Sequence, residues 1–243
     1  MKIVSTRGIV VKTIDYKETS KILNILTEDY GIIGVISKGC KSPKSKLSVV
    51  SSNFTYAIFH IYYNENKLST LIQADIIDYF SNIRNDITLV GYMTYLTELS
   101  KEVYAESSKE EVLELLISSL DRINNKVNPK IIKNILELKY LYFLGVGINL
   151  NNCVSCSSIN VITLSSLKGG YVCHKCKGNE KILNEKTLKL IKMFYYVDIS
   201  KISKTDIKDD IVKEIDTFLN EYYENFTGIY MKSKKFLQNL DNI

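Results

Sequence analysis

The chain has 243 residues, of which 45% are hydrophobic and 24% are charged, and its formal net charge is +5. These proportions are ordinary for globular proteins, so they exclude a disordered or fibrous class. No apolar run is long enough for the h-region of a signal peptide or for a membrane span, and we therefore expect a cytoplasmic protein with no membrane partner. In a reducing compartment, clustered cysteines bind metal more often than they form disulfides.

Five β-strands are predicted in residues 1–80, where Ile, Val, Tyr, Phe and Thr dominate and turn signals separate the apolar segments. Hairpin turns are predicted at Glu28–Gly31, where glycine can adopt the left-handed conformation, and at Asn64–Lys67. The lengths fit an antiparallel Greek-key barrel of the OB type. Gly39–Ser52, where many OB-folds carry a helix, is predicted to be a polar loop. The predicted strands are Gly8–Ile14, Ser20–Thr27, Ile32–Ser37, Asn53–Tyr63 and Leu68–Tyr79.

Residues 81–243 are predicted to form a helical domain, because the apolar period changes there from two residues to about three and a half. One helix has clear limits: Asn128 is its N-cap, Pro129 is its first residue and Gly145 stops it. Asn184 caps another helix that runs through Tyr196. The fold class is therefore α+β. The other predicted helices carry apolar stripes at Tyr92–Val103, Val112–Ile123 and Ile211–Phe226.

Four cysteines in the segment 150–180 form two Cys-x2-Cys pairs with sixteen residues between them: Cys153, Cys156, Cys173 and Cys176. This spacing is typical of a zinc site with four thiolate ligands, because one tight turn can present both sulfur atoms of a pair to the same ion. A short hairpin around Gly169–Gly170 would bring the two pairs together. Four thiolates leave no position for water or substrate, so we predict one structural Zn²⁺. The alternative is a cysteine cluster without metal, and Cys40 is predicted to be a lone free thiol.

The residues available for catalysis are few. A nucleophile-base-orienter triad would have to use His60 in mid-strand or His174 inside the second cysteine pair, and neither position is attractive. Gly34–Gly39 resembles a phosphate-binding loop, but Lys41–Ser42 come one position too late and Pro43 would break the helix that must follow. We therefore expect that the protein is not an enzyme.

A basic segment lies in the loop predicted between the third and fourth strands. Within nine residues it contains four lysines and no acid: Lys38, Lys41, Lys44 and Lys46. Ammonium groups neutralise phosphates without reading bases, and the interleaved serines can donate to phosphate oxygens. With Arg7 on the first strand as a neighbour, these lysines are predicted to bind the DNA backbone. The alternative is a solvated loop whose charges keep the protein in solution.

Aromatic residues in the fourth predicted strand could add stacking interactions. Alternation places Phe54, Tyr56, His60 and Tyr62 on one face with Ile58, and such rings can stack on unpaired bases. Rings on a barrel strand are more often part of the core, which is the competing interpretation.

These residues resemble a known family, the bacterial recombination mediators called RecO. The resemblance extends in order and spacing over nearly the whole chain. It is carried by Arg7–Val10, Glu18, Ile25–Gly31, Ser37–Gly39, Ser45–Leu47, Leu141–Gly145, Asn152–Cys156, Cys173–Cys176 and Lys232–Leu237.

The resemblance implies an N-terminal OB-fold, a helical domain and a zinc module between helices. It also implies binding to single-stranded and double-stranded DNA, annealing of complementary strands and loading of recombinase onto single strands coated by single-stranded-DNA-binding protein (SSB). The implied partners are RecR and the acidic C-terminal tail of SSB, and the implied location is the nucleoid. Two alternatives stay open: an RNA- or ribosome-associated OB and zinc-ribbon protein, and an enzyme.

Overall fold

The computed structural model describes residues 2–203 and 206–240. The described part of the chain divides into two compact units, one from Met1–Ile117 and Ser233–Ile243 and the other from Ser118–Lys232. The strands are β1 (Lys2–Tyr16), β2 (Ser20–Thr27), β3 (Gly31–Ser37), β4 (Tyr56–Tyr63), β5 (Ser69–Asp78), β6 (Val161–Ser165) and β7 (Gly170–Cys173). The helices are α1 (Ser81–Arg84), α2 (Ile87–Ser107), α3 (Glu111–Asn124), α4 (Pro129–Phe143), α5 (Glu185–Tyr196), α6 (Asp209–Phe226) and α7 (Lys232–Leu240).

The first five strands form a closed barrel with the strand order β1-β2-β3-β5-β4. All neighbours are antiparallel except β3 and β5, which close the barrel by parallel pairing of Val35 with Ser69 and Ile36 with Thr70. A closed barrel removes the free sheet edges, and five strands in this order form the predicted OB-fold. The interior is filled by alternate apolar residues of the strands, among them the fully buried Phe59 of β4.

β1 is longer than its sequence indicates. Its first half pairs with β4, from Lys2 opposite Tyr63 to Ile9 opposite Tyr56, and its second half pairs with β2. The register shifts between Val10 and Lys12, where a bulge lets one strand serve both neighbours. The prediction that this strand begins at Gly8 was therefore wrong by six residues.

The segment between β3 and β4 contains no regular helix, as predicted, but it is anchored to the barrel. Its turns are joined by hydrogen bonds such as Ser45 N–H to the Ser42 carbonyl at 2.9 Å. Val50 is buried in the barrel core, and the Ser51 hydroxyl bonds that of Ser37 at 2.7 Å. The segment thus occupies the place of the helix that many OB-folds carry there.

The predicted helix limits of α4 and α5 are confirmed. The Asn128 side chain accepts from the Lys130 N–H at the start of α4, and Asn184 accepts from Lys186 N–H at the start of α5. Gly145 follows α4 with φ +73°, a left-handed conformation that ends a helix at little cost for glycine. Among the described helices, none combines the length and the apolar character needed to cross a bilayer.

Candidate metal centre and nucleic-acid interface

The two cysteine pairs are held by turns of the same kind. The N–H of Ser157 donates to the Cys153 carbonyl at 2.8 Å, and the N–H of Lys177 donates to the Cys173 carbonyl at 2.9 Å. The four-residue offset is the same in both turns, so each pair presents its sulfur atoms in one direction. β6 and β7 form the predicted hairpin, and the Val154 N–H donates to the Tyr171 carbonyl at 2.9 Å, which joins the first pair to the second.

The four sulfur atoms lie within 4.8 Å of one another and form a group that could hold a metal ion. Cys156 Sγ and Cys173 Sγ are 3.6 Å apart, too far for a disulfide and close to the spacing of about 3.8 Å that a tetrahedron with metal–sulfur bonds of about 2.3 Å requires. His174 is exposed and lies outside this group of ligands. Chemically, the donor set matches a thiophilic ion such as Zn²⁺.

The environment of the sulfur atoms changes their acidity. Burial raises the pKa of Cys153, but N–H donors from Cys173, Ser155 and Cys156 outweigh it and lower the pKa to about 6. The pKa of Cys173 is also lowered, mainly by the backbone N–H of Cys176. Hydrogen bonds that Cys176 donates to Cys156 and Cys173 raise the pKa of Cys176 to about 12. Backbone N–H groups directed at sulfur stabilise thiolates, the form that binds metal.

The module around the cysteines has very little apolar core of its own. The apolar cluster at the sulfur atoms has three buried residues, Cys153, Val172 and Cys173, and Val154, Val161 and Cys176 pack against them. Two of the three buried residues are therefore candidate ligands. A unit with so small an apolar cluster requires a crosslink, such as a bound metal ion, to stabilise its fold.

The four lysines of the basic loop are all exposed. Lys41 forms an ion pair with Asp15 of β1, with Nζ and Oδ2 2.9 Å apart. The other three, Lys38, Lys44 and Lys46, have no ion-pair partner among the described residues. The Lys41 N–H donates to the Thr19 carbonyl at 2.9 Å, so the loop lies beside the β1–β2 turn.

The structure does not bring Arg7 together with this loop. Arg7 makes a two-pronged ion pair with Glu28, at 2.8 and 2.6 Å, and this pairing raises the pKa of the guanidinium. Along β1, Arg7 is eight residues from Asp15, which contacts Lys41, and eight residues of strand span up to about 26 Å. Glu28 is a partner that no sequence spacing indicated.

The predicted alternation of β4 is present. Tyr56, Ile58 and His60 are half-buried and Tyr62 is exposed, whereas the residues between them are buried in the barrel. Phe54 does not belong to this face, because it precedes the strand in a turn with φ +65°. A role for these rings in stacking on bases stays a prediction.

A polar chain on the outer face of the barrel was not foreseen. His60 Nδ1 lies 2.7 Å from the Ser5 hydroxyl, and His60 Nε2 lies 2.8 Å from Asp75 Oδ2. These residues come from β1, β4 and β5, so sequence spacing could not reveal the chain. Its contacts connect three neighbouring strands across the sheet.

The fold and the site together define a class: an OB-barrel protein with following helices and a cluster of four cysteines that could hold a metal ion. The family model described as "Recombination protein O N terminal" matches residues 1–80, and the one described as "Recombination protein O C terminal" matches residues 84–235. The chain belongs to the RecO family.

The chain is similar in sequence to curated relatives over nearly the whole length of both chains. The chain is 35% identical over 241 residues to the DNA repair protein RecO of Bacillus subtilis, covering 97% of this chain and 94% of the relative. It is 31% identical to the DNA repair protein RecO of Halalkalibacterium halodurans, with the same coverage of 97% and 94%. Its identity to the DNA repair protein RecO of Listeria monocytogenes is 32%, over 96% of this chain and 93% of the relative.

Proposed function

We propose that this protein is a recombinational DNA repair mediator. It binds single-stranded and double-stranded DNA, anneals complementary strands and helps load recombinase onto SSB-coated single strands. It works at the nucleoid in the cytoplasm with RecR and the acidic SSB tail, and it catalyses no reaction. In this proposal, residues 1–80 are the nucleic-acid-binding domain and 81–243 the helical domain, with 150–180 as its zinc-binding insertion.

The observation that carries the proposal is an exposed, largely unpaired set of lysines on an OB barrel in a chain of the RecO family. Only Lys41 of the four has an acidic partner among the described residues, so the loop keeps most of its positive charge for a ligand. Lysine neutralises phosphate as a point charge and reads no base edge, which suits a protein that must act on any sequence.

The metal in this proposal is one structural Zn²⁺ held by the four cysteines. When bound, the ion supplies a closed tetrahedral crosslink between the two turns. It leaves no open coordination position, so the site serves folding and not chemistry. The cysteine residues fix the hairpin of β6 and β7, and the N–H donors around Cys153 lower the pKa of its thiol, which favours the thiolate form that binds metal.

The competing function is RNA binding, because an OB barrel with a lysine loop neutralises either backbone. The deciding experiment is competition between single-stranded DNA and RNA of equal length and sequence for the purified protein. A DNA repair mediator should bind DNA at least as tightly and should accelerate annealing of complementary DNA strands. A strong preference for RNA, which requires contacts to 2′-hydroxyl groups, would contradict the proposal.

The helical domain offers a surface for the acidic tail. Tyr142 at the end of α4 is 71% exposed and Tyr196 at the end of α5 is 61% exposed. The half-buried Tyr195 lies near both. Its pKa is raised mainly by burial, and its electrostatic interactions with Tyr196 and Tyr142 raise the pKa further. Lys139, Lys186 and Lys189 lie on the same two helices, and Lys189 pairs with Glu185 on the exposed face of α5 at 2.6 Å. Lys133 is nearly buried and pairs with Asp216, with Nζ and Oδ1 2.8 Å apart, so it is the least accessible of the four to a ligand.

We predict that a photo-crosslinking peptide with an acidic, apolar C-terminus labels residues 129–143 and 185–196. Replacing Tyr142 and Tyr196 together by Ser should weaken binding of the peptide roughly tenfold, since aromatic anchors contribute much of the binding energy of such contacts. The control peptide has Asn and Gln in place of its Asp and Glu residues, and it should label these helices less. Crosslinks confined to residues 1–80 would place the tail on the barrel instead.

A further inference from the structure

A cavity of about 620 Å³ opens at the end of the barrel where β1 begins and β4 ends. Its lining combines two aromatic rings, one cation and polar side chains of the β4–β5 turn. The residues are Lys2, Tyr30, Tyr63, Asn64, Glu65 and Asn66. It is separate from the basic loop, because that loop lies beside the β1–β2 turn, at the far end of β1.

The aromatic part of the cavity is a pair of rings beneath a cation. The ring centroids of Tyr30 and Tyr63 are 4.4 Å apart, with an interplanar angle of 34°. The Lys2 ammonium lies over both rings, at 5.5 and 5.7 Å from their centroids. Both tyrosines are half-buried and line the cavity, so part of each ring surface faces its interior.

Tyr30 is held in place by its backbone. The buried Thr27 hydroxyl accepts from the Tyr30 N–H at 3.1 Å and donates to the Gly31 carbonyl at 2.7 Å. Gly31 has φ +64°, and a Cβ there would collide with the Tyr104 hydroxyl, so the turn has little freedom. The Tyr30 ring is thus presented from a fixed turn, which reduces the entropy cost of binding.

The opposite wall is also fixed. Tyr63 packs against the barrel core, and its strand partner in the register is Lys2. The Asn64 N–H donates to the Ser69 hydroxyl at 3.1 Å, and the Asn66 N–H donates to Asn64 Oδ1 at 3.2 Å. These bonds shape the turn and leave the Asn66 side-chain amide without a hydrogen-bond partner among the described residues.

We propose that this cavity stacks one unpaired base of a single strand on the Tyr30–Tyr63 pair, with Lys2 neutralising the neighbouring phosphate. A flat ligand suits the ring surface, the amides of the turn can bond a base edge, and a cation beside the rings suits the phosphate that accompanies every base. The cavity is too polar for an apolar segment of protein. The inference rests on the proposed binding of single strands by the barrel.

The test uses an oligothymidine strand that carries one 2-aminopurine, whose fluorescence falls when it stacks on an aromatic ring. The wild-type protein should quench this fluorescence on binding. Tyr30→Leu should abolish the quenching and weaken binding about tenfold, whereas Tyr30→Phe should retain both. Tyr230→Leu, which removes an exposed tyrosine outside the barrel, is the matched control and should behave as wild type.

An oligonucleotide with abasic sites should bind the wild type about as weakly as the intact strand binds Tyr30→Leu. Equal quenching of a 2-aminopurine ribonucleotide would support the site as a reader of bases irrespective of sugar. If the wild type binds the strand but Tyr30→Leu binds and quenches equally well, the stacking site is refuted while the proposed function stands. If the wild type binds no single strand at all, the proposed function falls and this inference falls with it.

Discussion

Replacing Cys153 and Cys156 together by Ser should remove about one equivalent of bound zinc and lower the melting temperature clearly. Two ligands are removed, and the remaining two thiolates cannot close a tetrahedron. Binding to the native state alone stabilises by about 4 kcal/mol when the free metal is at a thousand times its Kd, so release of the ion should cost several kcal/mol. The apolar cluster around the cysteines is too small to compensate, because its buried members are Cys153, Val172 and Cys173.

The measurements are zinc content by atomic absorption and unfolding followed by circular dichroism. Cys40→Ser is the matched control: Cys40 is a buried free cysteine outside the cluster, so this variant should keep its full zinc content. A strong chelator added to the wild type should reproduce the destabilisation. A double variant that stays fully loaded and melts with the wild type would refute a structural zinc site at these cysteines.

The local features of the fold are predictable because they depend on neighbouring residues. Turn signals on both sides of β2 predict that strand with the limits it has. The caps at Asn128 and Asn184 and the stop at Gly145 are predictable because each acts within one turn of its helix. The cysteine spacing likewise encodes two identical turns, so the sequence alone is enough to predict the cluster of sulfur atoms.

Features that depend on distant partners escaped prediction. The first half of β1 carries too weak an alternation to be recognised, and it is a strand because β4 pairs with it. α7 begins among lysines and was not predicted as a helix; the Ser233 N–H donates to the Glu98 carboxylate at 3.1 Å, and Glu98 lies far away in the sequence. The pairs Arg7–Glu28 and Lys41–Asp15 change the charge available to DNA, yet neither has a helical or strand spacing.

These ion pairs refine the electrostatic hypothesis. Arg7 donates through both Nε and Nη2 to the Glu28 carboxylate, so binding a phosphate there would first require breaking a bidentate ion pair. The charge of Lys41 is partly neutralised by its ion pair with Asp15. Lys38, Lys44 and Lys46 are exposed and can bind a phosphate without breaking an ion pair. We therefore expect these three lysines to dominate the contribution of the loop, with Lys41 weaker and Arg7 weakest.

Changing Lys38, Lys41, Lys44 and Lys46 to Gln should weaken binding to single-stranded DNA at low salt, flatten its salt dependence and slow strand annealing. Removing one lysine–phosphate interaction should reduce the slope of log K against log salt by roughly 0.7, so removing all four reduces it by at most about 2.8. The control replaces four other exposed lysines, Lys186, Lys192, Lys208 and Lys213, which removes the same charge from the net +5. Zinc content and melting temperature should stay near wild type in both variants, because exposed substitutions cost little. Equal slopes for the loop variant and the control would mean that the loop is a solvated connection and that phosphate is bound elsewhere.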